Sequence, residues 1–479
     1  MSYHPALGDI RQQLPRVAVV AALLAAAVTL ISLDTRRAAL PSERWYRLSR
    51  QQVMEADLAW QLGEAIDRVA AEVPVVADDT GRQMRERAVA IWEQRTLAGR
   101  ANPAAAWRLG VVYGHRGYDE HAADMFTLAA SLDEPDSNWY HALAEVYSKP
   151  DISPAELRAK AQIIAERTGP LVDVALGDCY RRLDDGAALA ALEARRQSRA
   201  VRFLGGIVAL SLLALVLVVT GVVTILVLIL RRGMAVPRAV ARPPFMVPWT
   251  LLDVAEAIAV LLFAMVLGGL ITPAAAGRAL ADNGSSMLRA LLLALQYVVV
   301  AGGTIGVIYL RVRQRSSHPL RTLGLRARRA WRLIGVGIAG YSVFLTVMVA
   351  VAIIIGAIFG GGIRLAQTAE EIVGSAQSPG EIAVYFVLVC VLAPIAEEVI
   401  FRGYVYGGLR RFLPARHAII LGAALFAGVH LNSDAFLVIA LIGALLCLLY
   451  ERTRSLLPGM IAHGLHNCLV LAVMLLQSM

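Results

Sequence analysis

The chain has 479 residues, 57% of them hydrophobic, and a formal net charge of +9, with a mean hydropathy of +0.59. It is too apolar for an ordinary soluble protein yet keeps long charged stretches, which predicts a polytopic membrane protein with a soluble part. No basic patch is interleaved with stacking aromatics, so a nucleic-acid partner is excluded. The charge is uneven: residues 34–200 come to about −4 and the remainder to about +13, carried by arginines between apolar segments. That pattern belongs to membrane orientation. Cys390, Cys447 and Cys468 fall in apolar segments and Cys179 stands alone, so neither a disulfide framework nor a paired-cysteine zinc site is predicted.

In chain order, the first apolar run, 17–33, is preceded by arginines and followed by Asp34-Thr35-Arg36-Arg37 without a clear small-residue cleavage site. It is read as an uncleaved anchor rather than a signal sequence. From 34 to 200, apolar residues recur at helical spacing among alanines, arginines and glutamates, which predicts a soluble helical domain. Leu109-Gly110-Val111-Val112-Tyr113, Leu143-Ala144-Glu145-Val146-Tyr147 and Leu176-Gly177-Asp178-Cys179-Tyr180 repeat with a period of about 33 to 34 residues. The first unit adds Gly117, Ala122, Phe126, Ala129 and Pro135 at turn, contact and terminator positions. These residues resemble a short tetratricopeptide array, whose groove implies a possible protein partner.

Further runs long enough to cross hydrocarbon, or nearly so, occupy 203–230, 247–271, 289–310, 333–360, 382–409, 417–431, 435–450 and 459–477, about nine membrane helices with the first. Segments 231–243 and 402–416 each carry four arginines and 311–332 carries eight without an acid, whereas 272–288, 361–381 and 432–434 are poor in bases or acidic. The basic loops are assigned to the cytoplasm. This puts the N-terminus inside and 34–200 outside, against the local arginines Arg195, Arg196, Arg199 and Arg202, which flank a long domain where the bias is weak.

Within the sixth segment, Ala393-Pro394-Ile395-Ala396-Glu397-Glu398-Val399-Ile400-Phe401-Arg402 sets two carboxylates and a guanidinium where lipid makes charge costly. On a helix, Glu397 and Glu398 point about 100° apart, while Glu398 and Arg402 share a face and predict an ion pair. Pro394 cannot bond the Cys390 carbonyl and predicts a kink lining a cavity. Glu397 and His430 lie at similar distances on either side of the Leu413-Pro414 turn, so antiparallel helices would hold them at one depth, as a base and an imidazole sharing a water. His463 and Asn467, one turn apart, can aim two donors at one oxyanion. The same folding argument leaves His463 nearer the cytoplasmic side, and closing the site asks for a tilted or partly spanning eighth segment. His466 is read as a packed or interfacial residue, and Asp253 and Glu256 as a helix-start polar pair or cavity lining.

Glu397-Glu398-x-x-x-Arg402, Phe426-x-x-x-His430 and His463-x-x-x-Asn467 in that order resemble the three motifs of the CAAX prenyl protease and bacteriocin-processing (CPBP) family of intramembrane glutamic endopeptidases, over roughly 245–479. The resemblance implies a metal-independent protease in which Glu397 and His430 activate water, His463 and Asn467 form the oxyanion site, and Glu398 and Arg402 support them. A zinc site of Glu397, His430 and His463 is the alternative chemistry, though no His-Glu-x-x-His occurs.

The expected architecture is all-α: an anchor (1–33), a soluble tetratricopeptide-like domain outside the cytoplasm (34–200), a second membrane helix with a basic linker (201–244), and a protease-like domain (245–479). The expected function is hydrolysis of a membrane-associated polypeptide in a bacterial inner membrane, without a cofactor. A catalytically silent scaffold or immunity protein acting through its repeats is the alternative, and a transporter the third reading.

Overall fold

The computed structural model describes residues 41–70, 80–97, 102–133, 137–149, 151–233, 245–280, 286–326, 329–359, 378–430 and 435–477. The anticipated anchor 17–33 and most of the basic linker 231–243 lie outside them. Among the described residues all regular structure is helical, as the composition predicted. The chain divides into two compact units, one taking in the described residues up to Ala209 and the other those of Leu210–Leu475.

The first unit contains α1 (Pro41–Ala70), α2 (Thr80–Leu97), α3 (Pro103–His115), α4 (Asp119–Leu132), α5 (Ser137–Ser148), α6 (Pro154–Ile164), α7 (Pro170–Arg182) and the start of α8 (Gly186–Gly233). Helices α3, α5 and α7 begin at 103, 137 and 170, and each heads a helical hairpin. Asn102 starts α3 by accepting hydrogen bonds from Ala104 N and Ala105 N, with Pro103 supplying a preset first turn. At Gly117 a positive φ of 81° turns the chain into α4. Gly110 lies flat against the Phe126 ring, where a Cβ would come within 2.8 Å. Leu109, Leu143 and Leu176, equivalent by period, all enter one buried core.

Helix α8 runs unbroken through 200, where the sequence suggested a domain edge, because Ala, Arg and Ser at 194–200 are all compatible with helix. The second unit continues with α9 (Leu251–Leu280), α10 (Ser286–Arg313), the short α11 (Pro319–Thr322), α12 (Ala330–Phe359), α13 (Pro379–Phe412), α14 (Ala415–Gly428), α15 (Phe436–Thr453) and α16 (Leu457–Gln477). Seven helices, α8, α9, α10, α12, α13, α15 and α16, are long and apolar enough to cross a membrane, which makes this a multi-pass membrane protein. Rows of exposed Leu, Val and Ile along α8, α10 and α12 are the surface that lipid covers. Helix α14 has 14 residues, about 21 Å at 1.5 Å per residue, which is shorter than a hydrocarbon core of about 30 Å.

Asp253 accepts hydrogen bonds from Thr250 N and Oγ1 at the head of α9 and pairs with Arg315 at 2.7 Å, while Glu256 pairs with Arg311 at 2.7 Å. Both acids are thereby used at the α9–α10 contact. His466 meets Tyr341 on α12, edge to face and 3.4 Å from its hydroxyl, as a packed histidine does.

Candidate active site

Helix α13 is not a uniform helix. Val387–Leu392 and Glu398–Tyr406 are π-helical, flanking an α-helical turn, Ala393–Glu397. Pro394 sits at the junction, so the kink anticipated there is realised as two stretches of wider, i→i+5 bonded helix. In the first of these, Ala393 N bonds Leu388 O. Continuing that register would ask Pro394 to donate to Val389 O, and proline has no N–H. Asn467 takes over: its Nδ2 donates to Val389 O at 2.8 Å. One of the two amide hydrogens that sequence reasoning assigned to an oxyanion is thus committed to the backbone of α13.

The second π stretch buries Glu398 and Arg402 completely, each at 0% exposure. Arg402 Nη1 lies 2.9 Å from Glu398 Oε1, its Nη2 donates to Gly443 O at 3.3 Å, and its guanidinium lies 4.0 Å over the Phe426 ring. A charge taken out of water needs such partners. Gly459 opens the space for the carboxylate, since a Cβ there would overlap Glu398 Oε2.

Helix α16 delivers His463 between the two carboxylates. Its Nδ1 is 3.5 Å from Glu398 Oε1 and its Nε2 is 3.8 Å from Glu397 Oε2. The depth problem posed by the sequence is resolved by the segment around α11. Leu323 O packs against Gly403 of α13, and Leu456 N bonds Gly324 O at 3.0 Å while Ser455 Oγ bonds Arg326 O at 2.6 Å. Gly324, at φ 93°, makes the turn and leaves room for Tyr450. The α15–α16 connection is therefore level with Gly403 rather than with the end of α13, and α16 runs antiparallel to α13 from there. Gly459 then meets Glu398, His463 meets Glu397 and Asn467 meets Val389 in register.

His430 follows the last turn of α14. Its backbone N bonds Ala427 O, which leaves Phe426 O to the His430 side chain, with Nδ1 at 2.7 Å. A carbonyl only accepts, so Nδ1 carries the hydrogen, and a neutral ring keeps a lone pair on Nε2. The Phe426 ring stands edge to face with His430 at 4.8 Å and with His463 at 5.8 Å. No ion pair or hydrogen bond joins His430 to Glu397 among the described residues; the imidazole beside Glu397 is His463. The sequence argument left His463 nearer the cytoplasmic side, and its Nε2 comes to 3.8 Å from Glu397 because the α15–α16 connection is level with Gly403.

Tyr297 of α10 was not singled out by sequence. Its hydroxyl donates to Glu397 Oε1 at 3.3 Å and lies 3.5 Å from Ala393 O. A tyrosine in an apolar run is ordinary, and only its neighbour Gln296 marks α10 as polar there. Glu397 Oε2, on the other side of the carboxylate, makes no hydrogen bond within the protein. Among the described residues no three His, Cys, Asp or Glu side chains are gathered as a metal-ligand cluster. The four cysteines are free thiols.

The arrangement offers a half-buried carboxylate with one oxygen anchored and one unbonded, an imidazole opposite the unbonded oxygen, and a second imidazole behind one aromatic ring. No curated protein and no solved structure matches the chain. Residues 379–469, which carry every one of these motifs from Glu397 to Asn467, match the family described as type II CAAX prenyl endopeptidase, Rce1-like, and over this stretch the chain is similar to that family of membrane endopeptidases.

Proposed function

We propose that the second unit hydrolyses a peptide bond of a membrane-associated polypeptide, with Glu397 as the general base and no metal. The observation that carries this reading is the unbonded Glu397 Oε2 facing His463 Nε2 at 3.8 Å. That gap is too long for a direct hydrogen bond, and both atoms can hydrogen-bond one water lying off the line between them. Glu397 takes a proton from the water as its oxygen attacks the scissile carbonyl carbon, and the proton passes to the leaving amine. The second amide hydrogen of Asn467 and a protonated His463 are the donors available to the oxyanion. His430, with Nε2 free to accept, is assigned the relay of the proton through a hydrogen-bonded water. Glu398 and Arg402 orient His463.

A lipid-borne substrate is supported by Val391, Leu392 and Ile395, which expose apolar side chains on α13 within two turns of Glu397. The arginine-rich ends of α10 and α13 support a cytoplasmic assignment for those ends in a bacterial inner membrane, with 34–200 on the other side. There the hairpins of the first unit, read as tetratricopeptide-like, are proposed to hold a protein partner.

Purified full-length protein in detergent is expected to cleave a membrane-derived peptide, and Glu397→Ala to lower turnover by about 10²–10⁴-fold, the range for loss of a general base. Turnover unchanged in that variant rejects Glu397 as base. Chelator-treated enzyme is expected to keep its activity, and a loss restored by zinc would reverse the assignment of a metal-free mechanism. Terminal-peptide profiling of cells carrying the wild type or Glu397→Ala then identifies the substrates.

A further inference from the structure

We infer that Tyr297 is a positioning residue for Glu397, whose hydroxyl holds Oε1 so that Oε2 faces His463. The inference rests on the reading of Glu397 as base. The phenol has one hydrogen and two acceptors in reach, Glu397 Oε1 at 3.3 Å and Ala393 O at 3.5 Å. The carboxylate is nearer and charged, and bonds to a charged acceptor are the stronger ones, so it takes the hydrogen. When Glu397 takes a proton from water its charge is gone. That proton goes to Oε2, so Oε1 stays an acceptor and the Tyr297 hydroxyl keeps donating to it. Tyr297 therefore holds the rotation of the carboxyl group through the protonation of Glu397, with its ring fixed.

Two consequences separate this from a ring that merely fills space. First, a donor on one oxygen makes the two C–O bonds of the carboxylate unequal, so removing the hydroxyl changes its stretching bands. Second, the carboxylate loses the contact that sets its rotation, while substrate binding surfaces stay as they were. The charged and titratable groups facing Glu397 are Tyr297 from α10 and His463 from α16, with Glu398 and Arg402 on α13 and His430 of α14 behind Phe426. Of these only the Tyr297 hydroxyl is removed by Tyr297→Phe, which keeps the ring.

The test compares wild type, Tyr297→Phe and Glu397→Ala as purified full-length proteins on one peptide. Tyr297→Phe is expected to lower kcat about tenfold with KM nearly unchanged, the size of one hydrogen bond to a charged group. Its thermal unfolding should match the wild type. A Tyr297→Phe enzyme with wild-type kcat, beside an inactive Glu397→Ala, overturns the role of Tyr297 and leaves Glu397 standing. Activity retained in Glu397→Ala overturns both. The infrared carboxylate band that Glu397→Ala removes gives a readout independent of substrate: its frequency should shift in Tyr297→Phe, and an unchanged frequency refutes the inference.

Discussion

Arg402 answers three demands at once, the charge of Glu398, the carbonyl of Gly443 and the face of Phe426. Each partner explains part of why a guanidinium is kept here, and a lysine, a compact point charge, could meet only the first. Arg402→Ala would leave Glu398 buried and uncompensated, and breaking such a pair costs about 3–5 kcal/mol. The expected outcome is a large drop in the thermal unfolding temperature in detergent together with loss of activity; a variant as stable as wild type would show that Glu398 is neutral in the fold. Residues of this kind were visible in the sequence because charge inside an apolar run has to be explained. Tyr297 and Gly459 were not visible, since tyrosine and glycine are ordinary in membrane helices and their meaning is set by what lies across from them.

At the scale of elements, α13 is shaped by a missing hydrogen. Proline at 394 leaves Val389 O without its helical donor, and Asn467 supplies one from α16, so the backbone irregularity of one helix fixes the rotation of the other. Asn467→Ala should therefore destabilise the fold by about 1–3 kcal/mol, the cost of a stranded buried carbonyl. In a Pro394→Ala background, where residue 394 regains an N–H, the same substitution should cost measurably less. The double-mutant cycle read by thermal unfolding is expected to show a coupling of about 0.5–3 kcal/mol, and strict additivity would refute the link. The apolar segments themselves could be read in advance because transfer from water sums over about 20 residues. The π-helical stretches and the α11 turn could not, because they follow from hydrogen-bond registers and from contacts such as Leu456 with Gly324 that join distant parts of the chain.

For the whole molecule, the sidedness of the membrane decides what the two units can act upon together. Arg311, Arg313 and Arg315 close α10, and Arg410 and Arg411 close α13, whereas the other end of α13 begins with Ser378 capping Glu381. Helices α10 and α13, two crossings apart, thus both carry their bases at their C-terminal ends, which is the pattern that retains a loop in the cytoplasm. The orientation proposed on this basis has α8 bringing the chain inward from outside, with residues 34–200 outside the cytoplasm. Alkaline phosphatase fused after Asp185 should then be active in a bacterial host, and the same reporter fused after Arg315 inactive. The reverse pattern would place the repeats in the cytoplasm, where Arg195, Arg196, Arg199 and Arg202 taken alone would put them, and would move the partner sought for the helical hairpins to that compartment.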